Sequence, residues 1–340
     1  MELFLLNPVE YDRLYNCSLY QQGYFENVKV PSKLIGSLYI GCGIVYESLY
    51  LPILYVMAQR KFRRFSCYKI MLFLGIIDVI CLAFLTILYG IFAFRGMVFC
   101  DSPRLFYISG CIATSLWTST CLTVIILAFN RLCDLISNNL SNTLFSGARV
   151  YIWIAIPICY FLWFVWYAPV LLFTSTYYSE FSNPYVGTIF EEQAEEQYIS
   201  WPMIANDTAT PLIMVFLYTI ICIVIVVRSY RLKRAARASS ALTDFQKTTV
   251  IQSCLICCLF VLCGAIYNYM DYCGAPLALV TLSTIIWQAC HGGTVIIYLI
   301  FNKTLRREIL RLFGKRHVIF STVSLYTNDG KTLGKNSIIQ

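Results

Sequence analysis

Residues 67–93 read CYKIMLFLGIIDVICLAFLTILYGIFA, an apolar stretch whose single acid is Asp78. The stretch exceeds the ~20 residues that a helix needs to cross the hydrocarbon core of a bilayer. Six similar stretches flank it, at residues 34–57, 105–130, 148–173, 207–228, 249–270 and 277–301. Only helices and closed barrels satisfy every backbone amide in lipid, and runs this long exclude the short alternating strands of a barrel. The sequence therefore predicts an all-α, seven-transmembrane helix bundle.

The composition agrees with residence in a lipid bilayer. Hydrophobic residues make up 59% of the chain and charged residues 13%, whereas soluble domains have ~25% charged residues. We divide the chain into an N-terminal segment (1–33), the helical bundle (34–301), a short amphipathic eighth helix (302–314) and a polar, flexible tail (315–340). The eighth helix is indicated by apolar residues at helical spacing, with Gly314 as a stop signal.

The basic residues predict the orientation of the bundle. Of the 26 Lys and Arg residues, 21 fall in the first, third and fifth connections or in the C-terminal tail. The five on the opposite side are Arg13, Lys29, Lys33, Arg95 and Arg104. The positive-inside rule therefore places the N-terminus outside the cell and the tail in the cytoplasm.

The outer segments contain few cysteines and two sequons, of which Asn206-Asp207-Thr208, beside the outer end of the fifth span, is the weaker candidate for glycosylation. Asn16-Cys17-Ser18 is a sequon in the N-terminal segment, so we expect a glycan on Asn16. Among the 16 cysteines, Cys17, Cys100 and Cys273 fall in oxidising outer segments, which leaves one disulfide, with Cys17 and Cys100 as candidates, and an odd thiol. The sequence predicts no metal site and no cofactor.

Two acids lie in the interior of the predicted spans, away from the span ends: Glu47 in the first and Asp78 in the second. Because an ionisable group in hydrocarbon costs ~2.5–3.5 kcal/mol, both side chains should face the bundle interior or water. If the two helices are neighbours, the acids could share a proton or a cation. In the alternative, each acid hydrogen-bonds to a nearby Ser, Tyr or backbone group.

The inner ends of the third and seventh spans carry two further landmarks. Arg131 lies where the third span leaves the membrane, and Tyr298 ends the run Val295-Ile296-Ile297-Tyr298. Together with Asp78, these residues resemble the switch elements of rhodopsin-like G protein-coupled receptors. The sequence departs from that pattern at Asn130, where an acid normally precedes the Arg. We expect Asn130 to hydrogen-bond Arg131 without adding charge.

Longer strings carry a more specific resemblance. These strings are YNCS (15–18), GIVYESLYLP (43–52), SCYKIM (66–71), GIID (75–78), LAFNR (127–131) and YLIFNKTL (298–305). In this order they resemble the serpentine receptor class T family of nematode chemosensory receptors. The resemblance implies a plasma-membrane receptor, often in the cilia of sensory neurons, that couples a small chemical cue to a heterotrimeric G protein. Pairing with a second copy or a relative stays open, and no nucleic acid is expected as a partner.

Ligand sites in helical bundles lie between helices and are lined by aromatic residues with a few polar groups. The candidate ligand-binding residues are Trp117, Tyr267, Trp287, Gln288 and His291. Each of them has an alternative role in packing. A transporter or a channel is the competing function. It is disfavoured because the sequence shows no internal repeat and no ring of polar residues.

Overall fold

A computed structural model describes residues 1–18, 24–188, 195–234, 244–273 and 276–326. The helices are α1 (Glu2–Leu6), α2 (Pro8–Tyr15), α3 (Lys33–Met57), α4 (Ser66–Leu82), α5 (Tyr89–Arg95), α6 (Pro103–Ile136), α7 (Asn138–Phe145), α8 (Arg149–Tyr167), α9 (Glu195–Tyr198), α10 (Trp201–Arg234), α11 (Asp244–Cys273), α12 (Leu277–Phe301) and α13 (Lys303–Tyr326). Two short strands, β1 (Leu172–Thr174) and β2 (Ser179–Phe181), form an antiparallel hairpin.

The seven predicted spans correspond to α3, α4 with α5, α6, α8, α10, α11 and α12. A π-helical turn, Ala83–Leu88, joins α4 to α5 within the second span. Among the described residues, six of these helices are long and apolar enough to cross a membrane, and α11 contributes a shorter apolar stretch, Cys254–Met270. The architecture is the predicted seven-helix bundle.

The fourth span is shorter than predicted. We expected it at residues 148–173, but α8 ends at Tyr167. Ala168 adopts an extended conformation, because the ring of Pro169 disfavours the helical conformation of the residue before it. The last two residues of the predicted span, Leu172 and Phe173, belong to β1 instead, so the end of that span is part of the hairpin.

Helix α6 is the central element of the bundle. It packs against α4, α8 and α10, whereas α12 closes the bundle by packing against α3, α4 and α11. Most side chains of α6 are buried, and those of α8 and α10 are largely exposed to the surroundings of the bundle. This difference identifies α6 as a core helix and α8 and α10 as lipid-facing helices.

One end of the bundle, which we call the N-terminal face, is covered by α1 and α2. Tyr11 and Tyr15 on α2 pack their rings against Tyr107 at the start of α6, with centroid distances of 5.0 and 5.1 Å. A disulfide joins Cys17 to Cys100. Asn16 is partly buried, and its Oδ1 accepts hydrogen bonds from the backbone and hydroxyl of Ser18. The N-terminal segment is therefore anchored to the bundle.

The β-hairpin folds inward at the same face. The Ser179 hydroxyl accepts a hydrogen bond of 2.8 Å from Thr284 of α12. The Tyr39 hydroxyl of α3 donates to the carbonyl of Tyr178 at 3.0 Å. These bonds hold the hairpin between the helix ends, where it closes the mouth of the bundle.

A glycine on α6 permits this position of the hairpin. A Cβ atom at Gly110 would lie 2.1 Å from the carbonyl oxygen of Leu171, the residue before β1. Backbone atoms of the hairpin cannot retreat from such a contact as a flexible side chain can. Gly110 therefore sets how closely the hairpin approaches α6.

The opposite end, the C-terminal face, carries the amphipathic helix α13. The Asn302 side chain caps it by accepting a hydrogen bond from the backbone of Leu305, whose own side chain is buried. Lys61 forms an ion pair with Glu308 and lowers the pKa of that carboxyl below its ordinary value. The helix runs past Gly314, where we expected it to stop, since a glycine inside a helix costs only ~1 kcal/mol. Residues 327–340 of the predicted tail lie outside the described residues.

We expect Gly110→Ala to lower the midpoint of thermal unfolding of the purified protein. The added methyl group collides with the hairpin backbone, and overpacking of this kind costs roughly 1–3 kcal/mol. Gly41→Ala is the matched control, because a Cβ atom there has no neighbour within 4 Å. An unfolding midpoint for Gly110→Ala equal to or above that of the control would contradict this role of Gly110.

Candidate functional site

A small cavity lies directly beneath the hairpin. It is lined by Trp117, Leu171, Glu180, Met203, Asp207, Tyr267 and Trp287. These residues come from α6, the hairpin and its approach, α10, α11 and α12. The cavity volume is about 20 Å³, which is room for about one water-sized group. The fold thus brings together residues from distant parts of the chain at one point near the N-terminal face.

Three of the five predicted ligand-binding residues line this cavity: Trp117, Tyr267 and Trp287. The Trp117 and Trp287 rings meet edge to face at 5.8 Å, and the Tyr267 ring lies 6.3 Å from Trp287. Gln288 and His291 are buried but do not line the cavity. Gln288 instead donates a hydrogen bond of 2.9 Å to the carbonyl of Leu85 in the π-helical turn.

The cavity also contains two acids that the sequence analysis did not identify, Glu180 and Asp207. Asp207 is the first residue of the predicted fifth span, and an acid at the end of a span is recognisable from the sequence as a candidate functional residue. Glu180 sits in a connection between spans, and no sequence pattern indicates that this connection folds back into the bundle. Burial raises the pKa of Glu180 to about 8, and the Tyr89 hydroxyl offsets a smaller part of that rise.

Trp117 links the cavity to the middle of the bundle. Its indole nitrogen donates a hydrogen bond of 2.8 Å to Asp207 on α10. Its ring stacks on Phe260 of α11 at 5.5 Å and meets the imidazole of His291 at 5.7 Å. A change at the cavity that moves the Trp117 ring must therefore also move its packing partners.

His291 belongs to a buried polar cluster with Asp78 and Tyr50. Its Nδ1 lies 2.8 Å from Oδ1 of Asp78. The Tyr50 hydroxyl lies 2.7 Å from Oδ2 of Asp78 and 2.8 Å from the backbone carbonyl of His291. All three residues are fully buried. The cluster therefore connects α3, α4 and α12 through the carboxyl group of Asp78.

Asp78 and Glu47 make no direct contact with each other in the part of the chain that the structure describes. Among the described residues, no hydrogen bond or ion pair joins the two acids, and Glu47 is only partly buried. Glu47 lies three residues before Tyr50 on α3, yet only Tyr50 reaches the carboxylate of Asp78. The second sequence alternative, hydrogen bonding to a neighbouring Tyr, is the one that the structure gives for Asp78.

Comparisons with known proteins identify the family and the fold of this chain. The family model described as serpentine type 7TM GPCR chemoreceptor Srt matches residues 1–321. This chain belongs to the Srt family. A curated relative, serpentine receptor class T-55 of Caenorhabditis elegans, is 24% identical over 280 residues, which cover 82% of this chain and 74% of the relative. The crystal structure of squid rhodopsin aligns with a TM-score of 0.63 at 14% identity, covering 87% of this chain and 89% of rhodopsin, and it shows the shared fold.

The C-terminal face of this Srt chain contains a larger cavity of about 600 Å³. Its lining includes Arg131 and Asp134 of α6, Lys69 of α4 and Glu308 of α13. Arg131 lies 3.8 Å from the sulfur of Met71, and Nε of Arg131 is buried without a hydrogen-bond partner among the described residues. Tyr298 on α12 is likewise buried, and its hydroxyl also lacks a partner in that part of the chain.

The predicted hydrogen bond from Asn130 to Arg131 is wrong. The Asn130 side chain donates instead to the Ser66 hydroxyl at the start of α4, at 3.2 Å. Consecutive residues on a helix point in directions about 100° apart, so they do not face each other. Asn130 therefore attaches α6 to α4, while Arg131 lines the cavity at the C-terminal face.

We expect Asp78→Asn to lower the unfolding midpoint of the purified protein, because it disrupts the hydrogen bonds of a fully buried carboxyl group with Tyr50 and His291, and a buried polar group that loses its partner costs roughly 1–3 kcal/mol. Combining it with His291→Asn should cost less than the sum of the single changes, with a coupling of ~0.5–3 kcal/mol. Thr294→Val is the control, since this buried hydroxyl bonds the Cys290 carbonyl of its own helix. Strictly additive effects would show that Asp78 and His291 do not act as a pair.

Proposed function

We propose that this Srt chain is a G protein-coupled chemoreceptor of the plasma membrane. It binds a small chemical cue from the extracellular side in the cavity beneath the hairpin and activates a heterotrimeric G protein at its C-terminal face. The proposal rests on the position of Trp117. This residue lines the cavity and also contacts the ring of His291, which pairs with Asp78. A cue can therefore alter the packing at the core of the bundle without reaching the opposite face.

The polar cluster suits the switching step. It joins three spans through a few short hydrogen bonds, so a shift of α12 relative to α4 must break or rearrange them. Packed interiors change between discrete arrangements rather than deforming continuously. A small displacement at Trp117 is thus converted into a movement of whole helices.

The C-terminal face suits the output step. Its cavity is large enough for side chains of a partner protein. The basic residues of its lining outnumber the two acids, Asp134 and Glu308: Lys61, Arg64, Lys69 and Arg131. The guanidinium group of Arg131 lines this cavity and offers N–H donors to a backbone or side chain of a partner protein. Helix α13 and its ion pair from Glu308 to Lys61 form one wall of this surface.

We expect Arg131→Ala to abolish receptor-stimulated binding of a non-hydrolysable GTP analogue to G protein, measured with purified receptor in lipid nanodiscs. The change removes a cation that lines the output surface. Arg13→Ala is the control, because it removes an exposed cation at the opposite face.

Equal nucleotide exchange in wild type and Arg131→Ala would contradict the assigned output surface. The same preparation reconstituted into liposomes without G protein should show neither ionic current nor solute uptake. Either activity would favour the transporter or channel alternative.

The proposed orientation is tested by the glycan on Asn16. We expect deglycosylation to increase the electrophoretic mobility of the protein expressed in nematode or insect cells, and Asn16→Gln to remove this shift. Asn139→Gln is the control, because Asn139-Leu140-Ser141 is a sequon in α7 at the C-terminal face. Loss of the glycan in the control variant instead would place the C-terminal face outside the cell.

A further inference from the structure

The cavity beneath the hairpin has an acidic lining. Glu180 and Asp207 both contribute to it, and the described lining residues include no Lys, Arg or His. Two acids that share a small apolar space repel one another unless a cation or protons neutralise them. The lining therefore favours a positively charged occupant over an anionic one.

Within the described part of the chain, Glu180 in particular lacks the donors or counter-ion that a buried carboxyl group needs. Its side chain is 7% exposed, and neither carboxylate oxygen has a hydrogen-bond partner among the described residues. The Tyr89 hydroxyl interacts with Glu180 closely enough to lower its pKa, but the contact falls outside the geometry of a full hydrogen bond. This weak donor leaves the buried carboxyl group under-satisfied. Buried carboxyl groups are normally satisfied by donors or counter-ions. A cation in the cavity supplies both the charge and the donors.

The remaining lining suits a cation as well. Trp117, Tyr267 and Trp287 surround the space with aromatic rings, whose faces attract cations within about 6 Å. A volume of about 20 Å³ accommodates one water-sized group. An ammonium group meets these conditions of size, charge and donor number.

We propose that this cavity binds the ammonium group of a small amine, with Glu180 and Asp207 as its counter-ions and the three aromatic rings as its walls. The inference deepens the proposed receptor function by naming the chemical class of the cue. Asp207 also holds the indole of Trp117, so an ammonium group that attracts Asp207 acts on the residue that contacts His291.

The test measures binding without any G protein. Purified receptor is heated with increasing concentrations of methylammonium, propylammonium or 1-propanol, and the unfolding midpoint is recorded. We expect the two amines to raise the midpoint by mass action, and 1-propanol, of nearly the same shape but neutral, to have no effect. Glu180→Gln should weaken the apparent affinity for the amines roughly ten- to hundredfold, as expected for the loss of a hydrogen bond to a charged group.

Two variants separate the cavity from general effects of charge. Asp207→Asn should weaken amine binding, whereas Glu47→Gln, which removes an acid that does not line the cavity, should leave it unchanged. The proposal would be overturned if propylammonium and 1-propanol raised the unfolding midpoint of the wild type equally. It would also be overturned if the amines stabilised Glu180→Gln as much as the wild type. A third contrary result would be that neither methylammonium nor propylammonium raises the unfolding midpoint of the wild type. Because the assay contains no G protein, a failed amine site and a failed coupling function give different results.

Discussion

The carboxyl group of Asp78 sits in the apolar interior of a membrane bundle, where a polar group is tolerated only if it is hydrogen-bonded. Tyr50 on α3 and His291 on α12 meet this requirement, so three spans are held together at one depth. The neighbouring Gly292 is part of the same arrangement, because a Cβ atom there would lie 2.2 Å from the ring of Tyr46. The close packing of α3 against α12 thus allows Tyr50 and His291 to hydrogen-bond the same buried acid.

The cavity and the polar cluster of Tyr50, Asp78 and His291 are connected through the packing of Trp117. Trp117 is fixed by a hydrogen bond to Asp207 on one side and by ring contacts with Phe260 and His291 on the other. In a densely packed interior, such a ring cannot rotate without displacing the residues that contact it. The inward-folded hairpin places Glu180 above these residues and leaves only a small space beneath it. Its position depends on Gly110, where a side chain would collide with the hairpin backbone.

The sequence predicted part of the candidate site and could not predict the rest. Trp117, Tyr267 and Trp287 were identifiable because aromatic side chains in the spans of a bundle are candidates to line a cavity, and all three line this one. Glu180 was not identifiable, since its connection gives no hint of folding into the bundle. For Asn130, adjacency in sequence suggested a bond to Arg131, but helical geometry directs the side chain to Ser66.

The sequence by itself determined the seven spans, because backbone groups in lipid must be satisfied within each helix and long apolar runs leave no other solution. It also required Asp78 to face inward, since no lipid-facing position tolerates an acid at low cost. Only the tertiary structure decided the partners: His291 rather than Glu47 for Asp78, and the hairpin rather than an open loop above the cavity. Those choices depend on contacts between residues far apart in the chain, where helix periodicity and hydropathy carry no information.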